Sequence, residues 1–489
     1  MIKISDGFKT DDKALAALYD GARRVIENSV EAFGDYRLVT LGCGSGRMTL
    51  ATELMSAETY ARFDTAAAMD CVKAFVATQR SDGQLAGEII KNGDEIVCDY
   101  SALAGFSFID EALSLYYMTK KKESLYLDEL YEALTRFDEY LERTHDYNKN
   151  GLPELLSEKE TMERCVSARY APIKISEGGK TREISVFPIE TCIMAAFHYR
   201  LKIALGEMSS MVGDDRHGIY FEEAEMIKAR MKNFFYVEAS GASYDRDYRG
   251  SLMSALTIDN LFMMYYGALD RAMSGAFISK HLMNPEEFFT TCPLPTYAVN
   301  TPEFSNDPNH RFGGRSRGAS FRRAVKAMEK YGYFREFTHV AKRFMDAVSS
   351  SLVFAEHYDP FTGEPAEKGD YAPTASAIIE TIARLYGVSV IFDEVHWGAL
   401  GHEGENTSEY NFKWGGDLYT LAAEKDTSMG LINGSPIFTI TNGARVITDW
   451  FGDHPKVVNI TDETHDCVFV YRNQTFSFTI APGEIKEFD

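Results

Sequence analysis

A single period constrains this chain more than any other feature. Apolar residues recur at helical spacing through most of the first 390 or so residues. The clear runs are Leu15 to Phe33, Ala66 to Val76, Leu125 to Leu141, Ile189 to Ile203 and Phe221 to Phe235. They continue with Ala255 to Leu269, Ala319 to Tyr331, Phe334 to Val348 and Ala375 to Leu385, and weaker runs cover Met48 to Leu54 and Phe106 to Tyr117. Eleven or twelve helices result, joined by loops whose Asp, Asn, Gly and Pro supply caps and breakers. Consecutive helices with few strands between them predict stacked hairpins, either a solenoid or a closed barrel of six hairpins. No fixed short repeat is visible, which favours the barrel. Past Gly387 the pattern changes to short β-rich runs, PIFTITNG, RVITDWFG, KVVNITD, CVFVYRN and TFSFTIAPG. Asn442-Gly443 and Pro482-Gly483 supply turns there, and all three tryptophans fall in this last quarter. The reading is mainly α: residues 1–387 form the barrel, and 388–489 form a small antiparallel β appendage. A length of 489 suits about three average domains, but a large barrel holds most of it as one.

Charge and cysteine usage narrow the partners. Lys and Arg total 51 against 73 Asp and Glu, a net charge of −22 that repels a phosphate backbone. The densest basic run, Arg311 to Arg323, is interleaved with glycines and reads as a pocket loop. Nucleic acid is therefore not an expected partner. The seven cysteines are scattered without a CxxC pair, which fits free thiols in a reducing compartment rather than disulfides or zinc. The first 30 residues lack the apolar core of a signal peptide, and no run approaches the ~20 apolar residues of a membrane span. A cytoplasmic protein without a membrane partner is expected.

One glycine motif points elsewhere. YRLVTLGCGSGRMTL, residues 36–50, resembles the cofactor loop of S-adenosylmethionine-dependent methyltransferases, with Asp64 placed to grip a ribose. A doubly wound domain needs several more buried parallel strands, whereas the next 300 or so residues read as helical hairpins. The Gly42–Gly46 segment is therefore expected to be a Gly-rich loop, with a methyltransferase as the alternative function.

Four ordered segments carry a different resemblance. They are FVATQRSDGQLAG (75–87), DYNKNGLPE (146–154), FFTTCPLPTYAVNTPEFSNDPNHRFGGRSRGAS (288–320) and FAEHYDPFTGE (354–364). In order and spacing they resemble the (α/α)6-barrel glycosidases of glycoside hydrolase family 63 and their mannosylglycerate-hydrolase-like and trehalase-like relatives. The resemblance spans about residues 10 to 480. It implies an (α/α)6 six-hairpin toroid that cleaves a terminal or small glycoside with inversion, using one acid and one base carboxylate. The departures are local. The family's first hairpin carries a Trp-Asp pair where this chain has GSGRMTL, and its Trp-Arg-Gly-Pro becomes Phe312-Gly313-Gly314-Arg315-Ser316-Arg317-Gly318. A barrel that only binds carbohydrate is a further alternative.

The resemblance assigns the base to Glu356, ahead of Tyr358-Asp359-Pro360, and the acid to Glu163, with Glu160 as the other candidate. Two such groups about 6.5–9.5 Å apart leave room for the attacking water. Arg315 and Arg317 are expected to bind sugar hydroxyls or an acidic substituent through their planar donor forks. Asp99, Tyr100, Phe312, Tyr358 and Tyr371 are expected to line the same pocket. The run Asp146-x-Asn148-x-Asn150-Gly151 imitates half a calcium loop, but Ser157 stands where the closing Glu belongs, so a structural turn is expected. His198 reads as a core histidine. Neither a metal nor an organic cofactor is expected, and a small carbohydrate is the expected partner.

Overall fold

The computed structural model describes residues 7–93, 95–101, 108–157, 160, 173–177, 180–184, 187–309 and 313–488. Twelve α-helices lie among these residues. They are α1 (Lys13–Asn28), α2 (Glu53–Tyr60), α3 (Thr65–Ala77), α4 (Phe108–Met118), α5 (Ser124–Thr144) and α6 (Cys192–Val212). The second half holds α7 (His217–Phe235), α8 (Asp259–Tyr265), α9 (Arg271–Phe277), α10 (Gly318–Lys330), α11 (Phe334–Ser349) and α12 (Ala372–Tyr386).

The even-numbered helices close a ring: α2 packs on α4, α4 on α6, α6 on α8, α8 on α10, α10 on α12, and α12 on α2. The odd-numbered helices lie outside, as where α1 packs on α12, α7 on α6 and α11 on α10. This is an (α/α)6 toroid. The amphipathic pattern explains the two layers. Inner α12 is buried on nearly every face, whereas outer α1 buries one stripe, Leu18, Tyr19, Ala22, Val25 and Ile26. Because outer and inner helices alternate along the chain, all inner helices run the same way and their first turns meet at one end.

The β portion exceeds the small appendage expected from the sequence. Strands β15 to β25, between Val388 and Glu487, build two antiparallel sheets together with β1 (Gly7–Thr10). One has seven strands in the order β1, β17 (Ser408–Trp414), β18 (Asp417–Ala423), β19 (Thr427–Ile432), β20 (Ser435–Thr441), β23 (His465–Tyr471) and β24 (Gln474–Ile480), and the other five in the order β15 (Val388–Ile391), β16 (Glu394–Ala399), β21 (Ala444–Asp449), β22 (Lys456–Asn459) and β25 (Ile485–Glu487). Their inner faces meet at Trp397, whose ring lies 5.5 Å from Phe438 and 5.9 Å from Tyr419. Hairpin turns at Gly415-Gly416, Asn433-Gly434 and Arg472-Asn473 have positive φ at both central residues, the form that matches strand twist. Asn442-Gly443 and Pro482-Gly483 instead carry the chain from one sheet to the other. The N-terminal β1 pairs with β17, from Gly7↔Asn411 to Thr10↔Ser408, so the chain start belongs to the sandwich.

Every ladder in the chain is antiparallel among the described residues, which removes the methyltransferase alternative. Tyr36–Val39 is one arm of a hairpin with Val30–Phe33, and Arg47–Thr49 is the edge of a three-stranded sheet. Met48 therefore lies in a strand, and the helix expected from Met48 starts at Glu53. Asp64 caps α3, accepting from Ala67 N at 3.0 Å and pairing with Arg37.

Candidate active site

Two short strands assemble the mouth of the barrel. Ser316–Arg317, just before α10, pairs with His357–Tyr358, setting Arg317 opposite His357. Gly318 N donates to Glu356 O at 3.2 Å, Tyr371 N to Phe354 O at 2.7 Å, and Thr374 Oγ1 to Ala355 O at 2.6 Å. The EHY segment is thus stitched to the first turns of two adjacent inner helices. Gly318 is required there, because a Cβ would lie 1.7 Å from Thr374 Oγ1. The glycine motif has its use here too. Ala372 N bonds Leu41 O at 2.8 Å, and a Cβ on Gly42 would stand 2.4 Å from Asp370 O. The Gly-rich loop therefore braces the segment that presents Tyr371.

Glu356 is half-buried and accepts from Arg317 Nη2 at 3.0 Å, with His357 Nε2 at 3.9 Å. Glu367 accepts from the backbone N–H of Glu356 at 2.7 Å and of His357 at 3.0 Å. That clamp, with Arg317, fixes the carboxylate's direction. Burial raises the Tyr371 phenol well above its ordinary range, and the carboxylates of Glu356 and Glu53 push the same way. It stays protonated, a donor beside two acids.

Glu53 is the residue that sequence reasoning missed. It opens α2 and is fully buried, accepting from Thr49 N at 2.7 Å, Thr52 Oγ1 at 2.6 Å and Thr49 Oγ1. Burial pushes its carboxyl up to about 7; the Thr49 and Thr52 hydrogen bonds oppose this, and Glu356 adds to it. A protonatable carboxyl facing a second carboxylate is the pattern that acid and base chemistry needs. The only signal in the sequence was an acid inside the apolar run TLATELMSA.

The other expected residues sort differently. Glu163 and Phe312 lie outside the described residues. Glu160 accepts from the backbone N–H groups of Leu156 and Ser157 and faces His145 Nε2 at 3.7 Å. Arg315 does not present a free fork: its Nη2 donates to Asn306 O at 3.0 Å and stands 3.9 Å from Asp359. Tyr358 is fully buried, its hydroxyl between Val353 O and Ala355 N and its ring edge-on to Phe344, so no face remains for a sugar. Asp99 ends β6 (Glu95–Asp99), opposite Glu88, whose partner Arg47 is also under the field of Glu53. Tyr100 donates to Thr78 O at 2.6 Å and carries the Arg80 guanidinium over its ring at 3.5 Å. This hairpin walls the mouth next to α2.

Among the described residues, two side-chain groups have metal-like spacing, Asp138-Glu142-His198 and Cys192-Asp245-Asp259. The first already holds a cation, since Lys202 Nζ lies 2.7 Å from Asp138, 2.6 Å from Glu142 and 2.8 Å from Glu223. His198 sits in that network, 3.1 Å from Asp138. In the second, Asp245 Oδ1 caps α6 by accepting from Cys192 N at 2.9 Å. In the calcium-like loop, Asn148 and Asn150 donate their amides to Glu190. Six cysteines are free thiols. No described helix is long and apolar enough to cross a membrane.

Comparison with known proteins agrees with this geometry. The model of the mannosylglycerate hydrolase MGH1-like glycoside hydrolase domain matches residues 53–374, from Glu53 to Thr374. Among solved structures, the family 63 mannosylglycerate hydrolase from Thermus thermophilus aligns with 74% of this chain and 99% of its own. The identity is 13% and the TM-score 0.61. A sialidase aligns with 90% of this chain and 41% of its own, at 14% identity and a TM-score of 0.68. The neutral trehalase of Saccharomyces cerevisiae aligns with 76% and 79%, at 12% identity and 0.53. At such identities the structures share a fold, and the family match supplies the chemistry. The chain belongs to the mannosylglycerate hydrolase MGH1-like glycoside hydrolases and is a glycosidase on an (α/α)6 barrel.

Proposed function

We propose that this glycosidase cleaves a small glycoside with inversion, Glu356 taking the proton from the attacking water. The observation that carries the assignment is the clamp on Glu356: Arg317 at 3.0 Å, with Glu367 accepting from the backbone N–H groups on either side of the Glu356 Cα. A base so fixed needs no reorganisation when water arrives. The proton for the leaving oxygen comes from Glu163, as the resemblance implies, and Tyr371 holds a sugar hydroxyl beside the base, with the buried Glu53 behind it. Similarity to mannosylglycerate hydrolase and trehalase supports a substrate of about two units. The free thiols support a reducing, cytoplasmic setting. Residues 1–387 and 388–489 are proposed as the catalytic barrel and its β domain, with β1 lent to the latter.

A second reading gives the acid role to Glu53, because a carboxyl pushed up to about 7 still carries a proton about half the time at neutral pH. Leaving-group dependence separates the two. A variant of the true acid keeps most of its rate on an activated aryl glycoside, which needs little protonation, and loses it on an alkyl glycoside. A sugar-binding residue loses rate on both. Glu163→Gln and Glu53→Gln measured side by side decide the matter.

Glu356→Gln tests the base. Its kcat should fall at least ~10²-fold with the thermal midpoint unchanged. Added azide should restore turnover and give a glycosyl azide of inverted configuration, since no glycosyl-enzyme forms. Near-normal turnover by Glu356→Gln would remove the residue from the site.

A further inference from the structure

The far end of the barrel carries a second feature. At 1.5 Å per residue, α10 runs about 20 Å from Gly318 at the mouth to Lys330 at the foot. A cavity of about 510 Å³ opens there, among the ends of α8 and α10, the middle of α6 and the sandwich residue Phe392. It adjoins a second of about 400 Å³, with Arg271, Lys330, Tyr331 and Phe392 lining both.

The charges of the larger cavity run against those of the molecule. The chain has 51 basic and 73 acidic residues, yet this lining has four cations, Arg200, Lys228, Arg271 and Lys330, against two acids, Glu207 and Asp270. Both acids are already engaged. Glu207 pairs with Arg200 at 3.1 Å, and Asp270 with Lys232 at 2.8 Å. Among the described residues no carboxylate pairs with Lys228 or Arg271, and Lys330 stands 3.5 Å from Asp110. Burial holds Lys330 below its ordinary range, with Arg200 and Lys326 pushing the same way despite Asp110. Lys330 also donates to Tyr265 O at 2.7 Å, so an anion seated there would compensate chiefly Lys228 and Arg271. In the adjoining cavity His396 is 4% exposed, and its Nδ1 has no hydrogen-bond partner among the described residues. The walls are aromatic: Tyr199, with Lys228 Nζ 5.3 Å from its ring centre, and Tyr331 and Phe392.

We propose that this foot cavity is a ligand site, separate from the catalytic mouth, for a small anionic sugar bearing a phosphate or carboxylate. The cations take the anion by charge-assisted hydrogen bonds, and the aromatic walls take the apolar face of the ring. Because Phe392 belongs to the sandwich and the cations to the barrel, an occupant bridges the two.

Calorimetry on the full chain with glucose 6-phosphate, glucuronate, glucose and inorganic phosphate tests this. The expected result is saturable binding of glucose 6-phosphate or glucuronate with Kd below about 1 mM. Affinity should drop at least about tenfold in Lys228→Ala/Arg271→Ala, with glycoside turnover unchanged. Arg271→Gln, which keeps the shape of the rim, should weaken binding by a smaller factor, so a poorly folded double variant leaves the site testable. Absence of saturation, equal binding of neutral glucose or of phosphate alone, or full affinity in both variants would overturn the proposal.

Discussion

The mouth and the base of the barrel both bury carboxylates, with opposite results. At the base, Glu380 lies between Arg62 at 2.9 Å and Arg384 at 2.6 Å, and Glu329 between Arg384 at 3.1 Å and Arg445. Burial pushes the Glu329 carboxyl up, but the guanidinium groups of Arg384 and Arg445 overcome it and hold it at about 2. At the mouth, Glu53 is as fully buried, has only hydroxyl and backbone N–H donors among the described residues, and is pushed up to about 7. Burial is common to both; compensation differs. A carboxylate with a cation on each side is fixed in one state and serves structure. One left with neutral donors is poised between two states at neutral pH.

The base offers the largest effect. Arg445 belongs to β21 (Ala444–Asp449) of the sandwich, and Glu329 and Arg384 belong to barrel helices, so this network ties the two parts together. Glu329→Ala leaves the buried Arg445 guanidinium without a carboxylate and Arg384 with Glu380 alone, and should cost about 3–5 kcal/mol in denaturant unfolding. A loss below about 1 kcal/mol would end the contrast, since the paired charges would then contribute no more than exposed ones.

Glu53 sharpens it through pH. Its folded value of about 7 lies above the ordinary 4.5, so the folded state binds the proton more tightly than the unfolded chain. This contribution is full below about pH 4.5 and is lost as pH rises to about 7, which removes about 3 kcal/mol. Unfolding curves of wild type and Glu53→Gln across that window should diverge by this slope. Parallel curves would show that the mouth is compensated as well.

Arg317 tests whether the cation bonded to Glu356 acts on the base or on the substrate. The sequence pattern favoured an anion binder, yet the guanidinium is bonded to Glu356. Arg317→Ala should lower kcat about ten- to a hundredfold, the equivalent of a lost charge-assisted bond, equally for neutral and acidic glycosides. A KM increase confined to acidic substrates would return Arg317 to substrate binding. Tyr358→Phe is the smallest test. It removes one buried hydroxyl that bridges Val353 O and Ala355 N, and should cost about 1 kcal/mol with turnover retained.

Local patterning was enough to read the helical barrel, but not the extent of the β part, which is a two-sheet sandwich rather than a small appendage. The helical period, broken by capping residues such as Asp12 and Asp64, places the helices, because one buried face per helix is written in consecutive residues. The ordered segments around DYNKNGLPE and FAEHYDPFTGE were enough to indicate the family, since those stretches lie together in the chain. The glycine motif misled because a Gly-rich turn after a strand looks alike whether the next strand runs parallel or antiparallel. Only the packed chain resolves that, by setting Gly42 against Asp370, 328 positions away. The same holds for Tyr358 and Arg315, whose roles depend on the groups that the packed chain sets against each, Phe344 and Asn306. It holds most strongly for Glu53. Its chemistry comes from the loss of water and the approach of Glu356, about 300 residues later, and neither is a property of neighbours in sequence. Consecutive residues are enough to set which segments fold and into what. Which buried charges find partners is settled only in the packed barrel, because desolvation and Coulomb energy depend on distances that the chain sets when the ring closes.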